Sequence, residues 1–401
     1  MGHPLEAAKM SEEMPNLDLL RTIAVSLVVV AHLTFHFGVM NIGPFRLTRI
    51  GRLGVLFFFV HTCCVLMMSL ERQWKGQSPL QLFGSFITRR IFRIYPLSIA
   101  VVALIVIFHL PQAFVMPGYF QGAALSAGTI LSNLTLVNIS KPWILGVLWS
   151  LPYEMAMYFF LPWIFLFILD QRSWHLRVVG LWLIAVAGTI VILQILGWPT
   201  HDYFVEYVPC FLPGVIAYRL MRATGANGVG AGRVSGDAGD LRAGGSRGAV
   251  LPGRRPLPAL LWIVVVGSVV PLYMYRRELL GNWCFRNWLV CLVIGLAIPL
   301  FSQISQKWIT IPSHYIAKYS YGIYLTHFFC IWLAFDQLHR VLPKIARLGV
   351  FVVLAAGLPI LFYHLLEEPM ILVGKRCAKR LEAAYETRIA SRTMVADAET
   401  P

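Results

Sequence analysis

The amino-acid sequence predicts an all-α fold, a polytopic integral membrane bundle of about ten transmembrane helices. Composition and periodicity predict it together. Of 401 residues, 58% are hydrophobic and only 13% charged, against roughly 25% charged in soluble domains. A soluble globule of this length would lack the polar groups to clothe its surface, and a disordered chain would lack the apolar excess. The pattern is a series of apolar runs of about 20 residues, the length that crosses a bilayer core. They lie near 18–40, 52–70, 91–110, 145–169, 177–197, 203–221, 257–275, 285–302, 315–336 and 347–367.

The first run follows Asp18 and Arg21 and is longer than a signal-peptide core, so it reads as a retained span. Between the third and fourth runs, 122–140 is rich in Ser, Gly, Asn and Thr and is expected to lie on the surface or re-enter the bilayer. The fourth opens on WSLP, with Pro152 in the first helical turn, where the missing N–H is tolerated. After the sixth, residues 222–256 are Gly- and Arg-rich and read as a flexible cytoplasmic linker. The GxG fragments there follow no strand and carry no nucleotide-binding expectation. The last run closes on Glu367, Glu368 and Pro369. Residues 1–374 thus form one membrane domain, and 375–401 a short basic tail. No internal repeat is visible, which argues against a transporter of inverted halves.

The 34 Lys and Arg against 19 Asp and Glu give a net charge of +15. In a soluble protein this excess would suggest nucleic acid; here it sits between apolar runs and orients helices instead. With ten spans and a cytoplasmic N-terminus, 24 basic residues fall inside and 10 outside. Making 122–140 an eleventh span turns the excess outward, so both termini are expected in the cytoplasm. The seven cysteines show no zinc, haem or redox spacing and read as small buried hydrophobes.

Titratable groups at membrane depth mark function by default. Arg21 and His32 are eleven residues apart, about 20° past three full turns, so they share a face with His32 about 16 Å deeper. A neutral imidazole suits general-base chemistry. His36 stands one turn further, but no third ligand accompanies the two, and no metal is expected. Arg89, Arg90 and Arg93 cluster where the third span leaves the inner face, and arginine forks hold phosphate oxygens in pairs. Glu154, one turn before Tyr158, is expected near the outer start of the fourth span. His61, His109, His327 and His364 read as packing residues, and Glu367 and Glu368 as charge compensation for nearby arginines.

These elements together resemble the membrane acyltransferase-3 family, bacterial O-acyltransferases of envelope glycans, exopolysaccharides and some antibiotics. LDLLRTIAVSLVVVAH resembles the family's opening signature, in which an Arg and a His are the key positions, here Arg21 and His32. TRRIFRIYP resembles its Arg-x-x-Arg element at Arg90 and Arg93, and LWSLPYE its Trp-Ser-Leu-x-x-Glu element at Trp149, Ser150 and Glu154. YSYGIYLTH (319–327) and the Glu-Glu-Pro close (367–369) also match in kind. One segment departs: Leu56 stands where the family often has a polar residue, and His61-Thr62-Cys63-Cys64 replaces a Leu-Ser-Gly-Phe-like turn.

The resemblance implies acyl transfer from a cytoplasmic acyl-CoA, in the first instance acetyl-CoA, to a hydroxyl of a glycan or lipid-linked sugar. Arg21, Arg90 and Arg93 would bind the CoA phosphates. His32 and Glu154 would carry the chemistry, His32 as general base or as an acyl-histidine relay. The expected location is the bacterial inner membrane, with membrane lipid as the surrounding partner and no nucleic acid. A transporter or flippase of an anionic or glycan substrate is the alternative, and a non-catalytic scaffold a third class.

Overall fold

The computed structural model describes residues 14–110, 125–137, 143–169, 173–196, 204–224, 257–275 and 283–398. It is an all-α membrane bundle, and each apolar run is helical over its described part. In order these are α1 (Pro15–His36), α2 (Arg49–Gln73), α3 (Pro79–Phe108), the short α4 (Ala127–Leu134), and a 3₁₀ turn (Gly146–Trp149) leading into α5 (Ser150–Phe167). There follow α6 (Trp174–Leu196), α7 (Phe204–Thr224), α8 (Ala259–Met274), α9 (Trp283–Ala297), α10 (Lys307–Ile331), α11 (Lys344–Phe362) and α12 (Glu368–Ala398). A two-stranded hairpin, Asn41–Ile42 with Phe45–Arg46, joins α1 to α2. Most of the expected linker, 225–256, lies outside the described residues.

Six helical stretches among the described residues are long and apolar enough to cross a bilayer: α1, α2, α3, α5 with its 3₁₀ turn, α6, and the rod formed by α11 and α12. Large apolar side chains such as Ile184, Ile195 and Val353 point outward at 70%, 77% and 69% exposure, as a lipid-facing surface requires. Polar residues such as Asn16, Ser85, Asn287 and Ser320 turn inward. α7, with buried Glu206 and Arg219, runs through the interior and packs on α2, α6 and α9. Six of the seven thiols are buried and none is in a disulfide among the described residues.

Small residues set the closest approaches, because lipid tails are as apolar as leucine and helices in a membrane associate by packing. A Cβ on Gly54 would lie 2.5 Å from the Ala24 carbonyl of α1. A Cβ on Gly214 would lie 2.5 Å from the Val60 carbonyl and 2.6 Å from Cys63 Cβ on α2. Backbone cannot move aside as a side-chain tip can. Gly214→Val is therefore expected to destabilise by about 1–3 kcal/mol or more, as overpacking does. The check is thermal unfolding in detergent; a variant melting with the wild type would show that α2 and α7 can part freely.

Two features bear on the site. First, α3 begins at Pro79, twelve residues before the apolar run. Ser78 caps it by accepting from the Gln81 N–H at 3.3 Å, and Pro79 occupies the first turn. Arg90 and Arg93 are thus interior to a 30-residue helix rather than at its mouth. The early turns are held by α12: Gln81 donates to the Glu382 carbonyl at 3.2 Å, and Arg89 pairs with Glu382 at 3.0 Å. α12 itself runs unbroken from Glu368 to Ala398, through the expected boundary at 374.

Second, the described part of 122–140 holds an eight-residue helix, about 12 Å long and too short to cross. It folds back against α3. Tyr95 donates to the Thr135 carbonyl at 2.6 Å, and Asn133 Oδ1 accepts from the Ile144 N–H at 3.0 Å.

Candidate active site

α1 and α10 run parallel and carry the candidate residues in register. Asn16 Nδ2 donates to the Ser302 carbonyl at 3.0 Å, Asp18 meets His314 at 3.0 Å, and Thr22 donates to the Ser313 carbonyl at 2.9 Å. This pairing fixes the height of Arg21 and His32 against Tyr321, Tyr324 and His327, which recur every three residues on one stripe of α10.

Arg21, Arg90, Arg93 and Glu154 line one cavity of about 490 Å³, with His61, Thr62, Tyr158 and Tyr321 among its other walls. A second space of about 440 Å³ shares Arg21, Thr62, Glu154 and Tyr321 and continues toward Ser150 and Tyr324. The expectation of Glu154 near the outer face, apart from the arginines, is therefore corrected. The reason lies in the turn before α5. Tyr324, midway along α10, donates to the Val147 carbonyl at 2.8 Å and lies 2.8 Å from Ser150 Oγ. Because the chain has already folded inward, α5 starts inside the bundle, and Glu154 one turn on meets the arginines.

Within the cavity Glu154 accepts from the Tyr158 hydroxyl and from Thr62. Thr62 belongs to the segment that departs from the family pattern, so the departure faces the site. Arg93 forms an ion pair with Glu367 at 3.4 Å, and Glu367 is only 1% exposed. Glu367 thus compensates an arginine, as expected. Glu368 instead meets His364 at 2.8 Å. The five-residue π-turn at Tyr363–Glu367 separates the two carboxylates' directions. Arg90 stacks over Phe86 at 5.6 Å and has no carboxylate partner among the described residues. The Nε atoms of Arg21 and Arg90 are buried without a protein acceptor there. Three guanidinium groups against two carboxylates leave the cavity positive, and two of the three keep donors for an anion.

His32 stands beyond Tyr324 and borders neither space. Its Nδ1 lies 2.9 Å from the Val28 carbonyl and 3.0 Å from Nε2 of His327. His327 Nδ1 in turn lies 3.1 Å from the Ile323 carbonyl, and the ring is fully buried. The rings' centroids are 4.9 Å apart, and Phe328 closes on His32 at 4.5 Å. His327 thus joins α10 to α1 through its contact with His32. Its signal in the sequence was the Tyr-x-x-Tyr-x-x-His stripe, which points a histidine and two phenols along one helix face. His36 is turned instead to Asp336 at 3.6 Å.

The chain matches a family model described as an acyltransferase domain over residues 14–364. It is also similar to the peptidoglycan O-acetyltransferase OatA of Listeria monocytogenes, 26% identical over 388 residues. That alignment takes in 89% of this chain and 56% of the relative, so the chain spans little more than half of the protein it matches. No solved structure matches. The family match covers every residue that lines the two spaces, and the chain belongs to the membrane acyltransferase-3 family.

Proposed function

We propose that the protein is an O-acyltransferase of the bacterial cytoplasmic membrane, moving an acetyl group from acetyl-CoA to a hydroxyl of a cell-envelope glycan or lipid-linked sugar. The observation that carries this reading is the basic cavity: Arg21 and Arg90 keep Nε donors without a partner among the described residues, beside Glu154, in a chain of acyltransferase family. The name of the Listeria relative supports an acetyl group and a peptidoglycan-like acceptor.

Arg90, Arg93 and Arg21 hold the phosphates of CoA, as planar forks suit phosphate oxygens. The thioester reaches past Tyr324 toward His32, about 16 Å along α1 from Arg21. His32 takes the proton of the acceptor hydroxyl, the oxygen attacks the thioester carbonyl, and the carbon–sulfur bond breaks. The products are an O-acetyl ester and CoA thiol, the proton passing from His32 to the sulfur. Glu154, held by Tyr158 and Thr62, stands among these arginines and orients them toward the donor. General-base assistance of this kind contributes typically about 10²–10⁴-fold.

The test is transfer by the purified full chain in lipid, with carbon-labelled acetyl-CoA and soluble peptidoglycan fragments. Label in a base-labile ester on the glycan is expected. Labelled glycan absent while acetyl-CoA or glycan crosses the vesicle wall would replace the enzyme by a transporter.

A further inference from the structure

We infer that His327 is a positioning residue for His32, an imidazole that fixes the tautomer of the catalytic imidazole and steadies its charged form. The inference rests on the reading of His32 as the base.

A backbone carbonyl only accepts, so a ring nitrogen within hydrogen-bond distance of one carries the proton. His32 Nδ1 lies 2.9 Å from the Val28 carbonyl, and His327 Nδ1 lies 3.1 Å from the Ile323 carbonyl. In their neutral forms both rings therefore have a bare Nε2. That of His327 sits 3.0 Å from His32 Nδ1, where it accepts the same N–H that the Val28 carbonyl accepts. Two acceptors on one proton leave His32 a single tautomer. Its Nε2 is the nitrogen left to act as base.

The same contact acts during turnover. When His32 gains a proton at Nε2 it becomes an imidazolium, and its Nδ1–H then faces a neutral nitrogen held in place by Ile323. Among the described residues no carboxylate hydrogen-bonds either ring. The arrangement thus does with an imidazole what hydrolase triads do with an aspartate. A neutral acceptor adds no anion to a dry site, where an unpaired charge is expensive.

Three variants in the full chain, reconstituted in lipid, test this with acetyl-CoA and peptidoglycan fragments, read by CoA-thiol release. His327→Leu keeps the volume and removes the acceptor; kcat is expected to fall about 10–100-fold with KM for acetyl-CoA within about twofold. His327→Gln places an amide oxygen where Nε2 stood and is expected to recover at least about fivefold over His327→Leu. His32→Ala/His327→Leu is expected to be no slower than His32→Ala alone, since a positioning residue has nothing left to position. Wild-type kcat in His327→Leu beside an inactive His32→Ala overturns the inference and spares the base. A Gln variant no better than Leu, with lowered melting in both, makes His327 a packing residue and also overturns it. Full turnover in His32→Ala overturns the base assignment and, with it, this inference.

Discussion

His32→Ala is expected to abolish acyl transfer, by about 10²–10⁴-fold in kcat, while the protein still inserts and melts as the wild type does. The expectation follows from what surrounds the ring. His32 hydrogen-bonds only its own helix and His327 among the described residues, so its removal leaves one neutral imidazole without a donor rather than an unpaired charge. A structural role would therefore be small and a chemical one large. The measurement is labelled-acetyl transfer to glycan fragments, paired with the mass of envelope glycans from cells expressing each form. Turnover within a fewfold of wild type would remove His32 from the chemistry. His32→Gln is the companion: it restores a hydrogen-bonding group but no base, and is expected to stay inactive.

Arg90→Ala carries the second large effect. Arg93 is neutralised by Glu367 and Arg89 by Glu382, whereas Arg90 lines the cavity with no carboxylate partner among the described residues. A hydrogen bond to a charged group is worth about 1.5–3 kcal/mol. Its loss is therefore expected to raise KM for acetyl-CoA about 10–150-fold while kcat changes little, the signature of binding lost equally in ground and transition states. Calorimetric titration of CoA into the reconstituted protein checks the affinity directly. Arg90→Lys is expected to recover only part of it, since a point charge lacks the paired geometry. An unchanged KM would place the phosphates elsewhere.

The bundle was legible in the sequence because its physics is one-dimensional: an apolar run long enough to cross a bilayer reads the same in any fold. Arg21 and His32 were legible for a similar reason, since both lie on α1 and helix geometry alone relates them. What the sequence concealed were relations between helices. His32 and His327 are 295 residues apart, and neither's surroundings name the other. Glu154 was placed at the wrong height because loop charges orient a span without saying where its helix begins. The turn at Val147, tied to Tyr324, decides that. The turns at 79–90 were not legible because polar residues there continue the helix outside any apolar window, held by α12.

That last contact has a mechanical consequence. A lone helix flexes easily under a sideways load, and three guanidinium groups in one cavity repel one another. α3 is not alone: it is pinned to an antiparallel partner at Gln81 and Arg89, at Phe92 against Gly374, where a Cβ would come within 2.5 Å, and at Arg93 against Glu367. Two beams fastened at intervals bend far less than either one. The basic wall of the cavity is thus a braced girder, and the spacing of its charges is set by its fasteners rather than by the repulsion they resist.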